Sequence, residues 1–369
     1  MAQTASISPA QQNAMAVARL HATAINNRRM LPTVSLGNGF QSIKLDNTGL
    51  FKRIFLRCSA TLTNTSAAVM NFVQSPYGPH NILNNIAYKD FVGNYRTNSH
   101  PAFLNIVNSM KSGRDVRDAV PNSQSNVGAS IVYNFPSTLA IGASATIKFQ
   151  IEIPLCYSND NLTGIVPAQV AIGQHTLELN VGNFFGLDPF FSPYVGALPA
   201  GLTITPLNVV VTQEFLQPQS LADVPMLAAS NSYGVIGNMT DNNTIIVNQE
   251  KYFNYPNARS ILSLAFAYNN GNAFNYGTDI GYVETIIGSS NFPSRVTPDF
   301  LLENMRQHLR ADSPAGLYYV GSRSQPINTT LYGQVQIGVG PLVVNPGAYM
   351  AFGYEIFAPL NVPLPGITA

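Results

Sequence analysis

The stretch Ile147-Lys148-Phe149-Gln150-Ile151-Glu152-Ile153 puts four apolar side chains on one face and Lys148, Gln150 and Glu152 on the other. A period of two is that of a half-buried β-strand. The same pattern recurs on both sides of it. In the segment 51–63, Ile54, Leu56, Cys58, Ala60 and Leu62 share one face, while Arg53, Arg57, Ser59 and Thr61 share most of the other. Further strands are expected at 177–181, 202–212, 244–253, 262–268, 316–320, 331–339 and 348–357. Turn clusters such as Asn269-Asn270-Gly271-Asn272 separate them. Many short strands parted by Gly, Pro and Asn mean an all-β sandwich or barrel.

Three helices interrupt this pattern. Ser8 can cap the first, with Pro9 at its first position and Gln11 completing a capping box. It is expected to run to about Ile25, with a shallow apolar face of Ala10, Ala14, Val17, Leu20, Ala24 and Ile25. No Asp or Glu precedes Asp46, whereas Arg19, Arg28, Arg29 and Lys44 are cationic, so the start of the chain reads as a basic arm. Pro101 opens a second helix that stops near Gly113. Thr297 and Pro298 open a third, expected to place Leu301, Met305, His308 and Leu309 on one face. The expected organisation is a helical arm at 1–30, a first β-domain at 31–213, an extended connector at 214–225, a second β-domain at 226–358 and a tail at 359–369.

Composition bounds the function. The 369 residues are 46% apolar and only 10% charged, against about a quarter charged in ordinary globular proteins. A neutral surface rich in Tyr and Phe suits burial against neighbouring subunits. The net charge of +1 supplies no global field for nucleic acid, and no sequence-specific nucleic-acid contact is expected. Cys58 and Cys156 fall in strand-like segments and read as buried free thiols of a reducing compartment. The sequence has no continuous apolar run long enough for a membrane span and no secretion signal near its start, so a soluble protein is expected.

The search for chemistry returns little. No phosphate-binding loop and no Gly-x-Ser-x-Gly elbow is present. His21, His80, His100, His175 and His308 are too scattered for a metal site and read as helix-end or surface histidines. Glu152 and Glu178 are the candidate carboxylate pair of a sugar-active enzyme, but nothing in the sequence brings them together, and the bland reading is solvated ion pairing. Arg114, Asp115, Arg117 and Asp118 read as a solvated ion-pair cluster, and the segment 158–164 as a capped turn rather than a calcium loop. No catalytic residue, metal or cofactor is expected. The basic arm could touch an anionic membrane or nucleic acid, or dock on a neighbouring subunit.

Several segments resemble the major capsid proteins of tectiviruses, bacteriophages with a membrane beneath the protein shell. They are Ser8-Pro9-Ala10-Gln11-Gln12, the run from Ile153-Pro154-Leu155-Cys156-Tyr157 through Ser158 to Gly164, Phe274-Asn275-Tyr276-Gly277-Thr278-Asp279-Ile280, the helix at Pro298, and Gly316-Leu317-Tyr318-Tyr319 followed by Arg323, Pro326 and Ile327. Their order runs from end to end of the chain. The resemblance implies two eight-stranded jelly-roll barrels side by side, a double jelly roll with a helical arm and short loop helices. It also implies a homotrimer with a near-hexagonal footprint that tiles an icosahedral virion shell against neighbouring trimers and minor capsid and vertex proteins. Arg19, Arg28 and Arg29 would then face the internal membrane. The alternatives are an all-β binding or adhesion protein and, behind it, a sugar-active enzyme.

Overall fold

The computed structural model describes residues 8–112, 131–158, 161–170, 173–220, 231–237, 240–241, 245–254, 259–271, 273–275, 277–288, 294–309, 313–321, 326–332 and 335–359. In chain order the principal elements are α1 (Pro9–Thr23), β1 (Ile25–Met30), β2 (Gly39–Lys44), β3 (Leu50–Asn64), β4 (Leu83–Lys89), β5 (Tyr95–Ser99), α2 (Pro101–Ser112), β6 (Ile131–Asn134), β7 (Ser144–Pro154), β8 (Thr176–Val181) and β9 (Leu207–Gln217). There follow β10 (Asn231–Gly237), β11 (Lys251–Asn254), β12 (Ser260–Asn269), β13 (Ile280–Ile287), β14 (Ser294–Val296), α3 (Pro298–Arg306), β15 (Leu317–Gly321), the helical turn α4 (Thr329–Tyr332), β16 (Val335–Pro341) and β17 (Tyr349–Pro359).

Strand pairing sorts these into two barrels of two four-stranded walls each. The first has walls β6-β7-β3-β9 and β2-β8-β4-β5; the second has β10-β17-β12-β15 and β11-β16-β13-β14. The barrels share a sheet, because β5 and β10 pair in parallel through Ile236 with Asn98 and Gly237 with Ser99. The alternation of β3 and β7 sends Ile54, Leu56, Cys58, Phe149, Ile151 and Ile153 into the first core. Both cysteines are buried and free.

In β12 and β17 the pattern is a nearly unbroken buried run, the mark of a strand covered on both faces. Leu264, Phe266, Met350 and Phe352 fill the second barrel, while Ala265, Ala267 and Ala351 belong to the core that includes the first. Helix α2, buried over 101–110, lies against this small-residue face. A Cβ on Gly353 would sit 2.6 Å from the Cβ of Phe103 in α2, and one on Gly234 would sit 1.8 Å from the Arg96 carbonyl, so both positions demand glycine for the barrels to meet.

The seam between barrels has an aromatic part and an ionic part. Tyr77 meets Phe274 edge-on at 5.1 Å, and Phe190, on which His100 stacks at 4.0 Å within the first barrel, lies 6.0 Å from Phe274. Tyr349 donates to Asp188 at 2.8 Å. Lys111 of α2 reaches Glu355 of β17 at 2.5 Å. Glu355, at 0% exposure, also accepts from Tyr233 at 2.9 Å and Ser263 at 2.7 Å.

Several sequence expectations change. Helix α1 stops at Thr23, and the rest of the arm is strand β1, paired with β9 from Ile25 opposite Gln217 to Met30 opposite Thr212. The arm therefore adds a strand to the first barrel instead of hanging from it. The strand expected over 202–212 breaks at Thr205 and Pro206, where proline has no N–H for the ladder. In the stretch 244–253, residues 245–250 form no strand, with Asn248 in the left-handed region at φ 58°; Thr244 lies outside the described residues. In 331–339 the turn α4 delays the strand to Val335. Residues 214–217 of the expected connector continue β9, while 221–225, like 360–369 of the tail, lie outside the described residues. His308 falls after the end of α3 and is exposed, while Leu301, Met305 and Leu309 are buried.

The histidines depart furthest from expectation: His80, His100 and His175 are all buried. Sequence misses this because nothing local separates a core imidazole from a surface one. Burial pushes His100 down to about 3, and burial with Arg96 nearby pushes His175 down to about 4. Since the unfolded chain takes up these protons near pH 6.5, stability present at neutral pH is lost as pH falls from about 6.5 toward 4. The loss is about 1.4 kcal/mol per pH unit for each histidine. Denaturation midpoints measured between pH 7 and 4.5 should show this slope, and H100F/H175F should flatten it; an unchanged slope would refute the assignment.

A second expectation concerns the seam. Lys111→Met strands a buried carboxylate and should cost about 3–5 kcal/mol, whereas Lys111→Met with Glu355→Gln should cost less than the sum of the two single changes. A double-mutant cycle by urea unfolding reads the coupling directly.

Candidate functional site

The arm and the walls it joins concentrate the charged chemistry of the chain. Ser8 accepts from the Gln11 N–H while Gln11 accepts from the Ser8 N–H, so the capping box holds. The helix then lays Ala16 and Leu20 onto the barrel, where Leu20 joins Leu50, Cys156, Leu162, Ile165 and Leu216. Ala10, Ala14 and Ile25, expected on that face, are exposed.

Of the three arm cations, β1 delivers two to carboxylates. Arg28 sits directly opposite Glu214 in the register and donates to it at 2.8 Å. Arg29 pairs with Asp46 at 2.5 Å. Arg19 is exposed on α1. Glu214, at 0% exposure, also binds Arg53 at 2.9 Å, and Arg53 continues to Glu152 at 3.1 Å. Burial raises the Glu152 carboxyl above its usual range despite Arg53. For Glu214, burial pushes the same way, but Arg53 and Arg28 together outweigh it and hold the group below its usual range. The result is an ionic chain that runs from the half-exposed Arg28 of the arm inward through β9 and β3 to the buried Glu152 of β7.

This arrangement disposes of the enzymatic candidates. Glu152 is tied to Arg53 in one wall, while Glu178 lies in another, bonded to Lys89 at 2.6 Å and Tyr95 at 3.0 Å. The two are not brought together. Burial pushes the Cys156 thiol up to about 11 and Cys58 up as well, which keeps both protonated and unreactive. In the segment 158–164, Ser158 caps the turn by accepting from the Asn161 N–H at 2.9 Å; Asn159 and Asp160 lie outside the described residues, as do Arg114, Asp115, Arg117 and Asp118. Among the described residues no cluster of His, Cys, Asp and Glu could hold a metal. A cleft of about 390 Å³ opens beside Leu36, Val181, Phe184, Leu198 and Leu207, and no titratable side chain lines it.

Sequence reasoning missed the partners rather than the cations. Glu214 and Glu355 sit in apolar strand contexts, and each finds its cation more than a hundred residues away in sequence. An isolated acid at an otherwise apolar strand position was the available signal.

The comparisons agree with the fold. The family model of the P3 major capsid protein N-terminal part matches residues 36–216, and that of its C-terminal part matches residues 233–363. The major capsid protein P3 of Enterobacteria phage PRD1 is 27% identical over 387 aligned positions, covering 97% of this chain and 96% of the relative. Among solved structures, the STIV MCP superposes with a TM-score of 0.68 at 12% identity, covering 92% of this chain and 97% of that one. PBCV-1 VP54 superposes with a TM-score of 0.59 at 10% identity, covering 91% and 94%. At such identities the likeness is one of fold, here the double jelly roll. Matched through both barrels, the chain belongs to the P3 major capsid protein family, and it is a non-enzymatic shell protein of a virion.

Proposed function

We propose that the chain assembles as a homotrimer of near-hexagonal footprint, that these trimers tile an icosahedral shell beside minor capsid and vertex proteins, and that the arm faces an internal membrane. Each subunit brings two jelly rolls, at 31–213 and 226–358, so each barrel supplies one corner and three subunits complete the six-cornered tile.

The observation that carries this reading is the polarity of the two barrels. Helix α1, the end of β9 at Gln217, and Pro359 paired with Asn231 at the start of β10 all lie toward one end. The opposite end carries the long connections between Asn64 and Leu83 and between Val181 and Leu207. A molecule with α1, its exposed cation Arg19 and the end of β17 at one pole, and long loops at the other, suits a shell with distinct inner and outer faces. The seam welds the barrels into one block, as a tile requires. Arg28 and Arg29, neutralised by Glu214 and Asp46, contribute less than Arg19 to any attraction toward anionic lipid.

Light scattering of the purified chain should give three times the subunit mass, with a six-cornered outline in negative stain; a stable monomer would remove the trimer reading. In flotation with phosphatidylserine-containing vesicles, Arg19→Gln should weaken binding about fivefold, following roughly 1 kcal/mol per cation near such a surface. The difference should vanish at high salt. Equal binding by parent and variant would direct the arm to protein partners.

A further inference from the structure

Two walls take no part in the sheet shared by the barrels, and their outward faces carry opposite unbalanced charge. On β11-β16-β13-β14, the rings of Tyr252 and Tyr282 lie across glycines: a Cβ at Gly338 would meet Tyr252 at 2.7 Å and one at Gly340 would meet Tyr282 at 2.6 Å. Both phenols donate to Glu250. Arg295 covers the Tyr282 ring at 4.0 Å and reaches Glu250 at 3.1 Å and Glu284 at 3.4 Å. Two carboxylates thus share one guanidinium. Tyr252 is 39% exposed and the Arg295 side chain 51% exposed, while Glu284 is buried beneath them, so Glu250 is the carboxylate this patch presents to solvent. Tyr and Arg are the residue types that dominate the energetic centres of interfaces.

On β6-β7-β3-β9 the excess is positive. Arg57 lies opposite Gln150 and Lys148 opposite Ser59, so the two cations are diagonal neighbours on the outward face, about 7–8 Å apart by strand geometry. Both are exposed. Arg57 donates to the neutral Gln150 at 3.2 Å, and Lys148 lies 5.8 Å from the Tyr133 ring. Neither pairs with a carboxylate among the described residues. Beside them the face is paved with short side chains, Thr61 bonded to Thr146 at 3.2 Å and Thr63 to Ser144 at 2.8 Å. In a chain with 10% charged residues, two exposed cations side by side with no carboxylate partner among the described residues offer a docking point for acid.

We propose that this partner is a second copy of the chain: the Tyr252–Tyr282 face of one copy docks on the Arg57–Lys148 face of the next, with the exposed Glu250 against the two cations. The inference rests on the trimer reading. A three-fold rotation about an axis parallel to the strands moves residues without changing their height, so matching patches must stand level. Arg57 sits at the middle of β3 and Glu284 at the middle of β13, in barrels held side by side by the β5–β10 pairing. The contact is heterologous and closes into a ring, and complementary charge fixes its register and suppresses wrong pairings.

The test is a charge exchange on the full chain. Lys148→Glu and Glu250→Lys, each at an exposed site, should separately weaken trimer association at least tenfold by light scattering, and the two together should restore it to within about threefold of the parent. Carbodiimide treatment of the unmodified protein provides a readout that needs no variant: the covalent dimer should contain an isopeptide between Lys148 and Glu250. Rescue in the double variant or that crosslink supports the docking. If both are missing while the parent is a trimer, the docking is overturned and the trimer reading stands; if the parent is a monomer, both fall.

Discussion

The whole molecule depends on one wall being buried from both sides. Strands β12 and β17 close the second barrel with Leu264, Phe266, Met350 and Phe352, and offer the first barrel a face of Ala265, Ala267, Ala351 and Gly353. Small side chains let α2 approach until Phe103 rests on the Gly353 backbone. Large ones would hold the barrels apart and leave α2 with its apolar surface in water. The parallel pairing of β5 with β10 and the Lys111–Glu355 pair work within the distance that this wall sets. A buried ion pair contributes little net stability compared with apolar packing, but its geometry is demanding. It therefore serves to set how the barrels register.

The arm follows the same logic on a smaller scale. A helix with so shallow an apolar face has little to gain by docking alone. Docking becomes favourable because the next residues form β1, which satisfies its backbone on β9 and carries Arg28 to a carboxylate with no exposure to solvent. Glu214 would otherwise be a buried charge balanced chiefly by Arg53, so helix, strand and ion pair are mutually dependent. Of the arm cations Arg19, Arg28 and Arg29, Arg19 on the helix is the one without a carboxylate partner among the described residues.

For a shell protein the consequence is a rigid, nearly neutral block. Charges are few, and most of the carboxylates in strands are spent on internal pairs, which leaves broad flat faces of Thr, Ser, Tyr and Gly. The same economy separates the candidate chemistry among the described residues: Glu152 and Glu178 are drawn to separate cations in separate walls, and burial holds the Cys58 and Cys156 thiols and the His100 and His175 imidazoles in their neutral forms.

The sequence by itself determined the all-β class, the long strands β3, β7, β12 and β17, the capping of α1 and α3, and the family, because period-two alternation, N-caps and local motifs are properties of neighbouring residues. It also indicated two free buried thiols. It could not show that residues 25–30 form a strand, since Ile25 to Met30 carries no alternation and is held only by β9. It could not place His80, His100 and His175 inside, or join Arg28 to Glu214 and Lys111 to Glu355, because those outcomes depend on which surfaces meet after the barrels close. Local pattern decides which segments become strands; burial and long-range charge pairing, which exist only once the chain is folded, decide what each polar side chain does.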